Sequence, residues 1–232
     1  MSKKNILVLG SKPGSMLPNI KVEKIYTANG AAEKAQKYLD RFPNTPFTAV
    51  IGGREFEKNE EVQKRVIKSH PDILLSRSGS IKFERYDFPK KTNYEFFSFK
   101  DALFFQSQFF KLSILDILIK EFYYEEKISS KIIHVLRLIK NGKLGGVSTG
   151  FFSILYALNN HPNCKIILSG IGMSKGSHLY NDKNRYNKRS VVDRKLFNSL
   201  KKEYTSRLMT TDNDFANDTG IQTWEDKTID EE

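Results

Sequence analysis

The chain has 232 residues, 39% hydrophobic and 12% aromatic, enough to build a core and too apolar for a disordered polymer. Its single cysteine, Cys164, excludes a disulfide framework and a cysteine-built zinc site, and no run of about 18 uncharged apolar residues offers a membrane-spanning helix. The formal charge is +11, but residues 212–232 hold eight acids and one lysine, which leaves 37 basic and 19 acidic residues before them and a balance of +18. A field of that sign attracts anionic substrates, anionic lipid or nucleic acid.

The opening MSKKNILVLG has an apolar run too short for a secretory signal, and Ile6–Leu9 reads as a first strand. Gly10-Ser11-Lys12-Pro13-Gly14-Ser15 follows it. Glycines there let backbone amides approach a phosphate, with Lys12 adding charge. The stretch is neither a Walker loop nor GxGxxG, and a plain turn explains it equally well. A second strand, Lys24–Thr27, leads to Asn29-Gly30, where Asn29 is read first as the cap of a helix over 31–42. Strands Phe47–Ile51 and Asp72–Leu75 flank a charged amphipathic helix over 57–69. This alternation predicts an α/β fold with a mostly parallel sheet flanked by helices, whose ligands would bind beyond the carboxyl ends of the strands.

The middle of the chain has another character. Phe105, Phe109, Leu112, Leu115, Ile119 and Phe122 recur at spacings of three and four and draw one apolar helix face. A second helix is predicted from Ser130 to Lys140, stopping at Asn141-Gly142. Residues 100–141 are therefore expected to form an inserted helical subdomain, or alternatively a patch for a membrane surface or a partner subunit. In GGVSTGFFSILYAL (145–158), Ser148 caps a helix, Thr149 and Gly150 leave its first amides approachable, and Phe151, Ile154, Leu155 and Leu158 supply the buried face.

A buried strand, Lys165–Leu168, then ends at Ser169-Gly170 and enters a loop carrying His178, Tyr180, Asp182, Lys183, Arg185 and Tyr186. Tyrosine hydroxyls and cations so close together suit a departing phosphate. Further on, Ser190 and Asp193 have the spacing of a capping box, and Arg207–Thr210 reads as a late strand. Asp212-Asn213-Asp214 is formally the DxD of many metal-using sugar transferases, but in an acidic stretch it reads as chance, and no metal is expected. One α/β domain is assigned to residues 1–211, and residues 212–232 to a mobile acidic tail.

VSTGFFSILYALNNHPNCKIILSGIGM followed by GSHLYND resembles the core of sialyltransferase-like bacterial glycosyltransferases, which use CMP-activated sugars. The resemblance covers residues 144–182, extends more weakly to 5–30 and 190–212, and is absent from 53–140. It implies a Rossmann-like, metal-independent transferase with CMP-sialic acid, CMP-Kdo or a relative as donor. By the same resemblance, Gly10, Ser11, Gly14, Ser15 and Asn29 would touch the nucleotide. Ser148, Thr149 and Gly150 would face the CMP, and Gly170, Ile171, Gly172 and Met173 would line its sugar or base. Tyr180 would steady the departing phosphate.

The sequence departs from the family where a base histidine is expected: NKRSVVDRKLF has Lys188 and Ser190 there and no histidine. His178 is then the best general base and Asp182 the second, as base or nucleophile. The resemblance further implies a glycan or lipid-linked acceptor, a cytoplasmic enzyme of cell-surface polysaccharide assembly at the inner face of the membrane, no cofactor, and compatibility with a homo-oligomer. Two rival readings are a basic nucleic-acid-binding protein and another nucleotide-dependent Rossmann enzyme. The first lacks any recognised binding motif. A methyltransferase would want an acid where Asn29 stands.

Overall fold

The structure, a computed structural model, describes residues 4–113, 117, 129, 147–172 and 188–225, the side chains of 188–191 excepted. Eight strands form one all-parallel sheet in the order β5-β4-β3-β2-β1-β6-β7-β8. They are β1 (Asn5–Leu9), β2 (Lys24–Ala28), β3 (Phe47–Ile51), β4 (Ile73–Ser76), β5 (Asn93–Phe96), β6 (Lys165–Ser169), β7 (Leu208–Thr210) and β8 (Gln222–Thr223). The helices with described bounds are α1 (Ala32–Leu39), α2 (Gly53–Lys58), α3 (Glu60–Lys68), α4 (Phe99–Ser107), α5 (Thr149–Asn160), α6 (Lys188–Phe197), α7 (Lys202–Thr205) and α8 (Asn213–Thr219).

The central strands are apolar at successive positions because helices cover both faces. Ile6, Val8, Tyr26, Val50, Leu75, Ile166 and Leu168 point to one face, where they meet Phe151, Phe152, Leu155 and Leu158 of α5 and Leu196 and Phe197 of α6. Leu7, Leu9, Ile25, Ala49, Ile51, Leu74 and Ile167 point to the other, against Ala32, Ala35 and Tyr38 of α1 and Val62 and Val66 of α3. The α/β architecture is thus the expected Rossmann-like one. Helix α5 is buried more widely than the single predicted stripe, since Phe151 touches the rings of both Phe110 and Phe197, and Phe152 that of Phe105.

Several local expectations change. The single helix expected over 57–69 is two, because Asn59 leaves helical geometry (φ −120°, ψ 97°) and its side chain caps α3 by accepting the amides of Glu61 and Val62. Strands β5 and β8 were not predicted. Residues 213–223 of the stretch expected to be a mobile acidic tail instead form α8 and the edge strand β8, capped by Asp212. Beyond Ser113, the helical subdomain expected at 100–141 lies outside the described residues except for Ile117 and Ser129. Among the described residues no helix is long and apolar enough to cross a membrane.

This topology defines the place of interest. The chain builds outward from β1 through β5, then returns to the other side of β1 with β6. The strand order reverses between β1 and β6, and the carboxyl end of such a switch point is where open parallel sheets bind ligands.

Candidate functional site at the carboxyl edge of the sheet

Between β1 and β6 the two backbones stay paired beyond the strands. Gly10 donates its N–H to Ser169 O at 2.8 Å, and Lys12 donates to Gly170 O at 3.0 Å. The approach is so close that a Cβ on Gly10 would stand 2.1 Å from Gly170 O. Gly170 itself has φ +67°, a left-handed conformation that glycine adopts without strain. Two amides of this loop are therefore not free for a phosphate, since Gly10 and Lys12 spend theirs on Ser169 and Gly170.

Residues 10–16 are tied down further along. Ser169 Oγ donates to Met16 O at 2.6 Å, and Thr211 Oγ1 to the same carbonyl at 3.1 Å. Lys12 does not face an open phosphate site either. Its stem passes over Gly172, within 3.9 Å of a Cβ placed there, and its Nζ reaches Asp212 Oδ2 at 2.5 Å and Asp214 Oδ2 at 3.5 Å. Burial pushes the Lys12 ammonium down, but the two carboxylates outweigh it and its pKa is raised.

Asp212 is fully employed, with Oδ1 accepting the amides of Asp214 and Phe215 and Oδ2 holding Lys12. The DxD is therefore a helix cap and an ion pair, and among the described residues no group of His, Cys, Asp or Glu could hold a metal ion. A cavity of about 200 Å³ lies between the first loop and the β7–α8 turn, lined by Lys12–Met16 and Thr211–Asp214.

Beneath the first loop sits a residue that the sequence reading missed. Lys34, on α1, is 8% exposed. Its Nζ donates to Lys12 O at 2.5 Å and to Ser15 Oγ, and it lies 2.8 Å from where a Cβ on Gly170 would be. Among the described residues no carboxylate pairs with it. Burial, with a smaller contribution from Lys37, lowers its pKa to about 8. The available signal was a lysine on the same helical face as Ala31, Ala35 and Tyr38.

On the other side of β1, the ends of β2, β3 and β4 meet the N-terminus of α5. Asn29 has φ +49°, and its Oδ1 accepts Gly52 N–H at 3.0 Å, so it joins the ends of β2 and β3 instead of capping a helix. Arg77, the first residue after β4, donates from Nε to Thr149 Oγ1 and from a terminal nitrogen to Val147 O, both at 3.0 Å. Ser148 caps α5 as expected, accepting Phe151 N–H at 3.2 Å.

The Ser148 amide donates to Asp193 at 3.0 and 3.3 Å, and Asp193 is 3% exposed. This corrects the capping box read from Ser190 and Asp193. Ser190 lies inside α6, and Asp193 reaches across to hold the entrance of α5.

The two halves touch at Gly150. A Cβ there would meet Ile171 Cδ1 at 3.4 Å and Ala28 Cβ at 3.9 Å. The structure thus gathers Gly10, Ser11, Ser15, Asn29, Ser148, Thr149, Gly150, Gly170, Ile171 and Gly172 at one edge of the sheet, with Gly14 on an exposed turn. Met173, His178, Tyr180 and Asp182 lie outside the described residues.

Fold and edge together define a Rossmann-like α/β protein whose first and sixth strands pack tightly through Gly10 and Gly170 at the topological switch point, beside a cavity bounded by the first loop and the β7–α8 turn. No protein-family model matches the chain, and neither a curated protein nor a solved structure matches it.

Proposed function

We propose that the protein is a glycosyltransferase that moves a nonulosonate-type sugar, sialic acid, Kdo or a relative, from a CMP-activated donor to a glycan or glycolipid acceptor. The observation that carries the reading is the contact of the Ser148-Thr149-Gly150 entrance of α5 with Ile171 at the switch point. The two segments that most resemble the transferase family therefore stand side by side although the sequence separates them. Asp193 and Arg77 hold that entrance from either side, so its geometry is set before a ligand arrives.

In this reading the nucleotide lies along the carboxyl edge, bounded by the Gly10–Ser15 loop, Asn29, the α5 entrance and Gly170–Met173. Transfer from a CMP-ketose passes through an oxocarbenium-like state while negative charge grows on the departing phosphate. Fixed donors aimed at that charge do the main electrostatic work. Tyr180 serves as one such donor, and His178 takes the proton of the acceptor hydroxyl, with Asp182 as the alternative base or nucleophile. Assembly of cell-surface polysaccharide at the inner face of the membrane, against an anionic lipid-linked acceptor, suits the basic body.

The test is turnover of CMP-sialic acid and CMP-Kdo, followed by release of CMP. His178→Ala should reduce turnover at least a hundredfold, the low end of general-base contributions, while leaving CMP affinity within about twofold. Full activity in that variant would remove His178 from the mechanism.

A further inference from the structure

The strongest feature that this reading leaves unused is Lys34. A lysine is seldom fully buried unless paired. Yet this one meets only a carbonyl and a hydroxyl among the described residues, at the reversal point of the sheet. The first loop turns back over it between Lys12 and Ser15, and the tight Gly10–Gly170 contact walls it in. Among the described residues nothing requires a charge there. Methionine would fill a similar volume on a helix face that carries the buried Ala31, Ala35 and Tyr38.

The hydrogen bonds around it are unevenly matched. Lys12 O accepts from Lys34 at 2.5 Å and also from Ser15 Oγ at 3.2 Å. The hydroxyl proton of Ser15 therefore sits on an acceptor that is already served, at a long distance. Turning that proton outward leaves no group unsatisfied. Ser15 is also a wall of the cavity between the first loop and the β7–α8 turn. A hydroxyl that accepts from a buried ammonium and is free to donate outward forms a polarised donor with positive charge behind it.

We propose that Lys34 supplies the charge of an oxyanion subsite on the Lys12–Ser15 turn, delivered to the ligand through the Ser15 hydroxyl. The inference rests on the reading of this edge as a nucleoside-phosphate site and names the group that recognises its phosphate. The same chemistry would hold a free phosphate. Lys34 has no counter-ion among the described residues, and the ligand's oxyanion supplies one on binding.

The charges facing Lys34 fit this arrangement. Lys37 lies along α1, and Lys12 is on the loop above, already neutralised by Asp212 and Asp214 from the β7–α8 turn. Lowering the pKa of Lys34 to about 8 leaves it mostly protonated at neutral pH and makes its charge, and hence anion binding, fade over the mildly alkaline range.

The experiment titrates the full chain with inorganic phosphate, CMP and cytidine, in the parent and in Lys34→Met, Ser15→Ala and the surface control Lys37→Met. Far-ultraviolet circular dichroism checks that each variant is folded. The parent should bind CMP at least tenfold more tightly than cytidine, and Lys34→Met and Ser15→Ala should each lose most of that ratio without changing cytidine affinity. Lys37→Met should stay within twofold of the parent. Raising the pH from 7 to 9.5 should weaken phosphate binding in the parent and leave Lys34→Met flat.

Unchanged phosphate and CMP affinity in folded Lys34→Met would overturn the inference while leaving the nucleotide site standing. Parent protein that binds phosphate through Lys34 but binds neither CMP nor cytidine would instead overturn the transferase reading and keep the subsite. Absence of binding to all three probes would overturn both.

Discussion

Gly10→Ala is expected to cost at least about 4 kcal/mol of stability, or roughly 10 °C in Tm for a chain of this size. The added methyl would stand 2.1 Å from Gly170 O, 2.6 Å from its carbonyl carbon and 2.8 Å from Ile171 Cα. All three are backbone atoms, so no side chain can turn away. Relief requires β1 and β6 to separate at their carboxyl ends, which breaks the Gly10–Ser169 and Lys12–Gly170 hydrogen bonds. Gly170 cannot move freely in compensation, because it already holds φ +67° against Ser15 and Lys34. Gly14→Ala, in the same loop, is the uncrowded control. Gly14 has a positive φ (+67°) that Gly10 lacks, but nothing lies within 4 Å of its added methyl, so only the conformational term of about 1 kcal/mol applies there. Urea denaturation of the two variants beside the parent checks the contrast. Similar losses in both would mean that the β1–β6 approach is looser than described.

Lys34→Met should make the protein more stable at pH 7, by roughly 2 kcal/mol, while it weakens anion binding. In the folded state the lysine pKa is lowered from 10.5 to about 8. The unfolded chain therefore binds its proton more tightly, and below pH 8 the folded state carries the whole penalty of keeping the ammonium buried. As pH rises from 8 to 10.5 the folded state loses that proton first, so the parent gains stability over this window. The shift corresponds to about 3 kcal/mol, and about 1 kcal/mol is returned by loss of the bonds to Lys12 O and Ser15 Oγ. The advantage of the methionine variant should thus be largest at pH 7 and shrink steadily towards pH 10. A gain that does not depend on pH, or a loss of stability at pH 7, would contradict the assignment. A residue that weakens the fold and strengthens ligand binding is a usual mark of a functional site.

The sequence made the sheet legible where it carried long apolar runs. Ile6–Leu9 and Phe47–Ile51 have no polar alternation because both of their faces are covered. Strands β5 and β8 escaped because NYEF and QT lack such runs, and at the sheet edges each needs only one partner. The cap at Ser148 was legible from a serine placed just before an apolar helix. The Ser190–Asp193 spacing misled for a matching reason. A capping box is a local pattern, whereas Asp193 is committed to an amide 45 residues away.

Asn29 was marked for the site by resemblance and for a cap by propensity. Its role in the structure, bridging to Gly52, depends on the neighbouring strand and not on its own helix. Lys34 was hidden by the ordinary expectation that lysines are solvated. The return of the first loop over α1 helps to bury it, and that loop contains no periodic signal. Arg77 was discoverable in principle, as a guanidinium at the carboxyl end of a parallel strand, where ligands and helix entrances meet.

The central claim is that the carboxyl edge binds a cytidine nucleotide. Its most direct test is calorimetric titration of the full chain with CMP, UMP, GMP and S-adenosylmethionine. The account predicts saturable heat with CMP, weaker by at least tenfold with UMP and GMP, and none with S-adenosylmethionine. Binding of S-adenosylmethionine, or no heat with CMP, would contradict it.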